Sequence, residues 1–132
     1  MKQTLLIITA LMLIVGCSKT IDVDKLVERG GLLYEVNSDK PFSGEGVSYY
    51  SNGQKKWEAT YKDGERDGLS TTWYENGQKW LEGTYKDGEL DGKFTEWYEN
   101  GKKKEEITWK DGKFIERTEW DEDGNVTHHK KY

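Results

Sequence analysis

The chain has 132 residues, room for one modest domain behind a leader. Charged residues make up 34% and hydrophobic ones only 33%, at a mean hydropathy of −0.98, which argues against an ordinary Leu/Ile/Val core. Six Trp and eight Tyr argue equally against a solvated, disordered coil. The net charge of −5 becomes −6 once the leader, whose only charge is Lys2, is set aside. That balance excludes nucleic acid as the expected partner and gives no attraction to anionic lipid. With one cysteine, no disulfide framework or all-cysteine metal site can form within the chain.

Lys2 precedes an apolar run from Leu5 to Val15, then Gly16 and Cys17. A basic start, a short apolar core and a small residue at the end describe an export signal, residues 1–16. The run is too short to span a bilayer comfortably. Ile14-Val15-Gly16-Cys17 resembles the bacterial lipobox, which implies cleavage before Cys17 and acylation of its thiol with palmitate-type chains. Several acyl chains anchor stably, at about 0.8 kcal/mol per buried methylene. The location expected is the bacterial cell envelope, membrane-anchored. Ser18 after the cysteine implies, by the same resemblance, the outer membrane where there are two. Residues 17–31 read as the lipidated cysteine and a tether.

From residue 32 the chain repeats every 24 residues. Asn52-Gly53, Asn76-Gly77 and Asn100-Gly101 keep the step, as do Asp63-Gly64, Asp87-Gly88 and Asp111-Gly112, and Gly44, Gly68 and Gly92. The aromatics follow in Tyr49/Trp73/Trp97, Tyr50/Tyr74/Tyr98 and Tyr61/Tyr85/Trp109. The repeat domain is read as 32–120, with units near 44–67, 68–91 and 92–115. A partial unit precedes it at Leu32-Leu33-Tyr34 and Pro41-Phe42-Ser43-Gly44. A degraded one follows, where Trp120 to Gly124 matches Trp97 to Gly101 with one residue lost. Atypical end units are what a capped stack requires. Residues 121–132 read as a charged tail.

Each unit predicts two strands. Asn-Gly is the strongest short hairpin signal and predicts a type I′ turn; Lys-Asp-Gly-Glu supplies the second reversal. The intervening Trp-, Tyr- and Thr-rich stretches suit strands. The fold expected is all-β: an antiparallel meander of tandem 24-residue β-hairpins forming an elongated twisted sheet. A two-residue Asn52-Gly53 loop sets Tyr50 opposite Lys55, Ser48 opposite Trp57, Gly46 opposite Ala59 and Gly44 opposite Tyr61. Later units repeat this, with Trp73 across from Trp80 and an unexplained Glu96 opposite Glu105. A three-residue loop with a bulge would shift these partners. In this register Gly44, Gly68 and Gly92 lie beneath large aromatics that cover them, and each turn tyrosine faces a lysine.

One face carries Trp57, Ala59, Tyr61, Leu81, Tyr85, Phe94, Ile107 and Trp109. The other carries Tyr49, Leu69, Trp73, Trp80 and Trp97 among Lys56, Glu58, Glu82 and Lys104. Tyr49, Trp73, Trp80 and Trp97 form the candidate binding face, since aromatic rows anchor partners and stack on sugars. The other reading is that they pair across strands to hold a thin sheet together.

These units resemble the MORN (membrane occupation and recognition nexus) repeat in its bacterial variant form. The pattern runs from Trp73-Tyr74-Glu75-Asn76-Gly77 through Tyr85-Lys86-Asp87-Gly88 to Asp91-Gly92, and again one unit either side. Glu116 stands where the pattern calls for glycine. The resemblance implies a twisted sheet of hairpins used for binding, without chemistry of its own. Some bacterial members are assigned as antitoxin- or immunity-type partners of secreted toxins. Others carry a lipid-kinase label, which fails here because the chain has neither a phosphate-gripping glycine loop nor a kinase catalytic loop.

No enzyme or cofactor is expected. The acids Asp63/Asp67, Asp87/Asp91 and Asp121-Glu122-Asp123 do not fit a twelve-residue calcium loop and suit turns instead. His128 and His129, adjacent on an extended segment, point apart, so no metal site is expected. The function expected is a non-enzymatic envelope lipoprotein whose repeats bind another protein, in the antitoxin or immunity manner. The alternative is a binder of cell-wall glycan or a lipid headgroup.

Overall fold

The computed structural model describes residues 19–132. The leader and Cys17 lie outside the described residues. The strands are β1 (Thr20–Asp22), β2 (Leu26–Arg29), β3 (Leu32–Glu35), β4 (Gly44–Tyr49), β5 (Lys55–Lys62), β6 (Glu65–Trp73), β7 (Lys79–Lys86), β8 (Glu89–Trp97), β9 (Lys103–Lys110), β10 (Lys113–Trp120) and β11 (Val126–Lys131). From β4 to β11 each strand pairs antiparallel with the next, and β1 adds to β4 in parallel, giving a nine-stranded sheet. β2 and β3 form a separate hairpin. The predicted meander is therefore the fold.

Two expectations about the ends are corrected. Residues 20–29, read as tether, form β1, a 3-10 turn (Val23–Lys25) and β2. Residues 121–132, read as a tail, are a turn and strand β11, paired with β10 along its length. Both ends satisfy backbone groups that a sheet edge would otherwise leave open.

The type I′ turn expected at Asn-Gly is found at the other reversal instead. Asp63-Gly64, Asp87-Gly88 and Asp111-Gly112 have positive φ at both residues, from +48° to +50° for the aspartates, and are the two-residue type I′ loops. At Asn52-Gly53 only the glycine is left-handed (φ +83°). Gly53 N–H donates to Tyr50 C=O at 2.9 Å and Tyr50 N–H to Gln54 C=O at 2.8 Å, a three-residue type I loop closed by glycine. Asn52 Oδ1 accepts from Gln54 N–H at 2.9 Å, which holds the loop.

This loop pairs Tyr49 with Lys55, one step from the two-residue register. A bulge at Lys56 then restores the step. Ser48↔Trp57, Gly46↔Ala59 and Gly44↔Tyr61 are paired as expected, and the same holds in the next two units. A second bulge follows each Asp-Gly turn, between Ala59 and Tyr61 against Arg66 to Ser70. Gly68 lies in it at φ +122°, and a Cβ there would stand 3.1 Å from Thr60 Cβ. The expected aromatic cover is thus not what demands glycine; the left-handed bulge is. Glu116, which the 24-residue step puts in the place of this glycine, is paired with Thr108 instead; the bulge beside it has one extra residue, Ile115, rather than two, which accounts for the residue missing from the 24-step.

The sheet is one layer over most of its length, so burial comes from neighbouring columns. Ala59 is fully buried on one face; Val47, Thr71 and Thr95 are buried on the other.

Candidate binding face

On the first face the register lines up Trp57, Leu81 and Glu105; Ala59, Gly83 and Ile107; and Tyr61, Tyr85 and Trp109. The column after the Asp-Gly turns holds Arg66, Leu90 and Phe114, and Phe42 stands one 24-residue step before Arg66. Leu90, Phe94 and Tyr85 close around Gly83 at 3.2–3.4 Å from where its Cβ would stand. Arg66 lies over the Tyr85 ring at 5.1 Å, with Nε donating to Tyr61 Oη at 3.5 Å. Farther along, Trp109, Phe114 and Tyr132 stack edge to face at 5.6 and 4.9 Å. Ion pairs fringe this face: Lys104–Glu96 at 2.9 Å, and Arg117 with both Glu105 and Glu119. They explain the opposed glutamates Glu96 and Glu105, each of which has a cation of its own.

At the N-terminal end this face is covered. Leu26 Cδ1 and Trp57 lie 3.3 Å from where a Cβ of Gly46 would be, and Phe42 packs 6.1 Å from the Tyr61 ring. Leu33 N–H donates to Gly64 C=O at 2.9 Å, so the β2–β3 hairpin rests on the first Asp-Gly turn. Where this cover stops, Glu28, Leu33, Arg66, Tyr85, Asp87 and Glu89 line an open cleft of about 480 Å³.

On the second face Trp73, Trp97 and Trp120 each receive a lysine from the preceding unit. Lys55, Lys79 and Lys103 stand 5.7–5.8 Å from those rings. Each lysine also pairs with a glutamate three residues on: Glu58, Glu82 and Glu106. The hydrogen bond to Glu58 raises the Lys55 pKa against a small burial penalty. The bond to Lys103 holds Glu106 below the usual carboxylate range, opposed by burial and helped by Lys93. Thr71 Oγ1 joins this row by donating to Glu82 at 3.3 Å.

A third set of contacts stitches unit to unit. Tyr50, Tyr74 and Tyr98 hydroxyls donate to the Trp73, Trp97 and Trp120 carbonyls at 2.6, 2.8 and 2.9 Å. Asn52, Asn76 and Asn100 side-chain amides donate to the Glu75, Glu99 and Glu122 carbonyls at 3.2–3.3 Å. In the last turn Asp121 stands at the tyrosine position, Asp123 at the asparagine position and Val126 at the lysine position. The unit keeps the turn, with Gly124 N–H on Asp121 C=O at 2.9 Å, but has none of the donors.

The four aromatics of the expected binding row are therefore not brought together. Trp73 pairs with Lys79, not Trp80, because Trp80 is the extra residue of the bulge. Its ring meets Tyr74 at 5.8 Å, where Lys56 and Lys104 meet Tyr50 and Tyr98 in the units on either side. Lys104, at this same position, reaches Glu96, the Cα partner of Leu81, so the position looks toward the first face. Trp73 and Trp97 are half-buried under their lysines; Tyr49 and Trp80 are 50% and 39% exposed. The turn acids behave as turn residues: Ser43 Oγ accepts from Asp63 N–H at 2.8 Å and Asp91 Oδ1 from Asp111 N–H at 3.3 Å. His129 sits beside Thr118 at 3.0 Å and Glu116 at 3.6 Å.

The family model of the MORN repeat variant matches three times, at residues 43–63, 66–87 and 90–111. The chain belongs to the MORN repeat family. Neither a curated protein nor a solved structure matches it. MORN repeats are in general protein- or lipid-binding modules. In this MORN chain the three matched segments meet at the Asp-Gly turns, and the fourth hairpin, β10–β11, lies beyond them. The tyrosine and asparagine of each MORN turn owe their 24-residue step to the stitching bonds. The role is hidden in the sequence because Tyr50 and Asn52 find their acceptors 23 residues on, in the next unit, and not across their own hairpin.

Proposed function

We propose that this MORN protein is a non-enzymatic lipoprotein of the bacterial envelope, anchored through acylated Cys17. Its repeat sheet binds another protein in the manner of an immunity or antitoxin partner. The observation that carries the reading is the strip of Leu81, Tyr85, Leu90, Phe94 and Ile107, half-buried on a single-layer sheet. Contiguous half-covered apolar surface of this kind marks interaction sites. The acidic balance of the chain suits a basic partner.

Affinity capture with the lipidated full chain from envelope extract, read by cross-linking and mass spectrometry, tests it. One basic protein should be recovered in equal stoichiometry, and recovery of none overturns the reading. An adjacent toxin reading frame encoding that protein would mark the immunity role. Cys17→Ser should abolish palmitate incorporation and release the chain from membranes.

The exposed rings of Tyr49 on the second face and Trp80 toward the first favour a second reading, a glycan or lipid-headgroup binder. Loss of binding to purified wall or vesicles in Tyr49→Ala/Trp80→Ala, with protein capture absent, would support it instead.

A further inference from the structure

The first repeat unit has an occupant on its aromatic face, and it comes from the chain itself. The β2–β3 hairpin lies against Gly46 and Trp57 through Leu26, and its Leu33 N–H takes the carbonyl of Gly64. As a result Gly64 is buried. Gly88 and Gly112, at the same position in the next two units, are exposed, and a Cβ there would meet only the side chains of Glu65 and Glu89.

The cleft at the border of covered and open surface has a biased charge. Glu28, Glu65, Asp87 and Glu89 line it, with Arg66 as the sole cation. Arg66 is held by Tyr61 and Tyr85 and makes no ion pair among the described residues. A second copy of this chain, itself acidic, would meet repulsion there, whereas a cationic segment would be drawn in.

We propose that the second unit's aromatic face receives an amphipathic, cationic β-hairpin from the partner, seated as β2–β3 is seated on the first unit. Apolar side chains of one strand face lie on Tyr85, Leu90 and Phe94. A backbone N–H of the hairpin takes the Gly88 carbonyl, as Leu33 takes that of Gly64. Lysine or arginine near the hairpin end meets the carboxylates of the cleft. The proposal rests on the protein-binding reading above and names its surface and partner chemistry.

The probe is a cyclised peptide of Leu26–Glu35 carrying Glu28→Lys and Glu35→Lys, which changes its net charge from −1 to +3. It is titrated into the isotope-labelled full chain in detergent micelles. Shifts should centre on Tyr85, Gly88, Leu90 and Phe94. The native-sequence peptide should bind at least ten-fold more weakly, and raising salt from 50 to about 500 mM should weaken the cationic peptide several-fold.

In the receptor chain, Leu90→Arg should reduce binding at least ten-fold. This variant is safe for folding because Arg66 already occupies the same column one unit earlier. Absence of binding, equal binding of both peptides, or indifference to Leu90→Arg overturns the proposal. If Leu90→Arg still captures a partner from extract, the protein-binding reading stands and this surface falls.

Discussion

The Tyr74 hydroxyl donates to the Trp97 carbonyl at 2.8 Å between half-buried groups. Burial raises the pKa of this phenol, so it is a full donor at neutral pH. Tyr74→Phe keeps the ring and its 5.8 Å contact with Trp80, and removes only the bond joining the second unit to the third. One such bond is worth about 1 kcal/mol, more where the abandoned acceptor stays dry. In a domain of roughly 100 residues that lowers the melting temperature by about 4–8 °C. Circular dichroism melts measure it directly. The array is quasi-one-dimensional, so amide exchange should quicken on both sides of the weakened joint, in β7 and β8. Tyr34→Phe is the control: that ring carries the Arg29 guanidinium at 4.1 Å, and its hydroxyl makes no hydrogen bond among the described residues. If both variants melt alike, the tyrosine ladder is not what joins the units and the reasoning fails.

Gly68→Ala should cost about 1–3 kcal/mol, because alanine is strained at φ +122° and its Cβ meets Thr60; a melting temperature within 1 °C of wild type, roughly 0.2 kcal/mol, would count against this. At Asp87 (φ +48°) Gly or Asn should be near neutral while Val loses about 1–2 kcal/mol, measurable by urea titration. Glu106 has a folded pKa below its ordinary 4.5, so its contribution is complete above that value and disappears as pH falls through the folded one. Melting temperature should therefore drop below about pH 4.5, and Glu106→Gln should flatten the drop. Lys79→Met removes the lysine over Trp97 and its bond to Glu82, both partly exposed, so a loss under about 1 kcal/mol is expected by chemical denaturation.

The meander, the strand spans and most cross-strand partners were legible because the 24-residue step marks every reversal. Ser48↔Trp57 and Gly44↔Tyr61 come out right even though the Asn-Gly loop has three residues rather than two. The longer loop and the bulge at Lys56 displace the register in opposite senses and cancel. Between them they do not cancel, and there the sequence misled. Lysines faced tryptophans of the next unit, and Trp80 turned to Tyr74 instead of Trp73. A bulge residue has no partner, so alternation cannot assign its side. The end segments were missed for a different reason. Thr20–Asp22 and Val126–Lys131 are too polar to show a strand pattern and are held by backbone pairing with a neighbour already in place. The cover over the first unit was equally hidden, since nothing in Leu26 to Glu35 records what it lies upon.

At the Asn-Gly end the side-chain clasps all run in one direction, each unit's tyrosine hydroxyl and asparagine amide reaching into its successor. The closing unit, with Asp121, Asp123 and Val126, offers no hooks. An extra hairpin appended after Lys131 would find nothing to clasp, whereas a duplicate of 68–91 inserted mid-array would bring both halves of every clasp. Growth by internal copying is therefore the route this architecture tolerates, with both termini carried along unchanged.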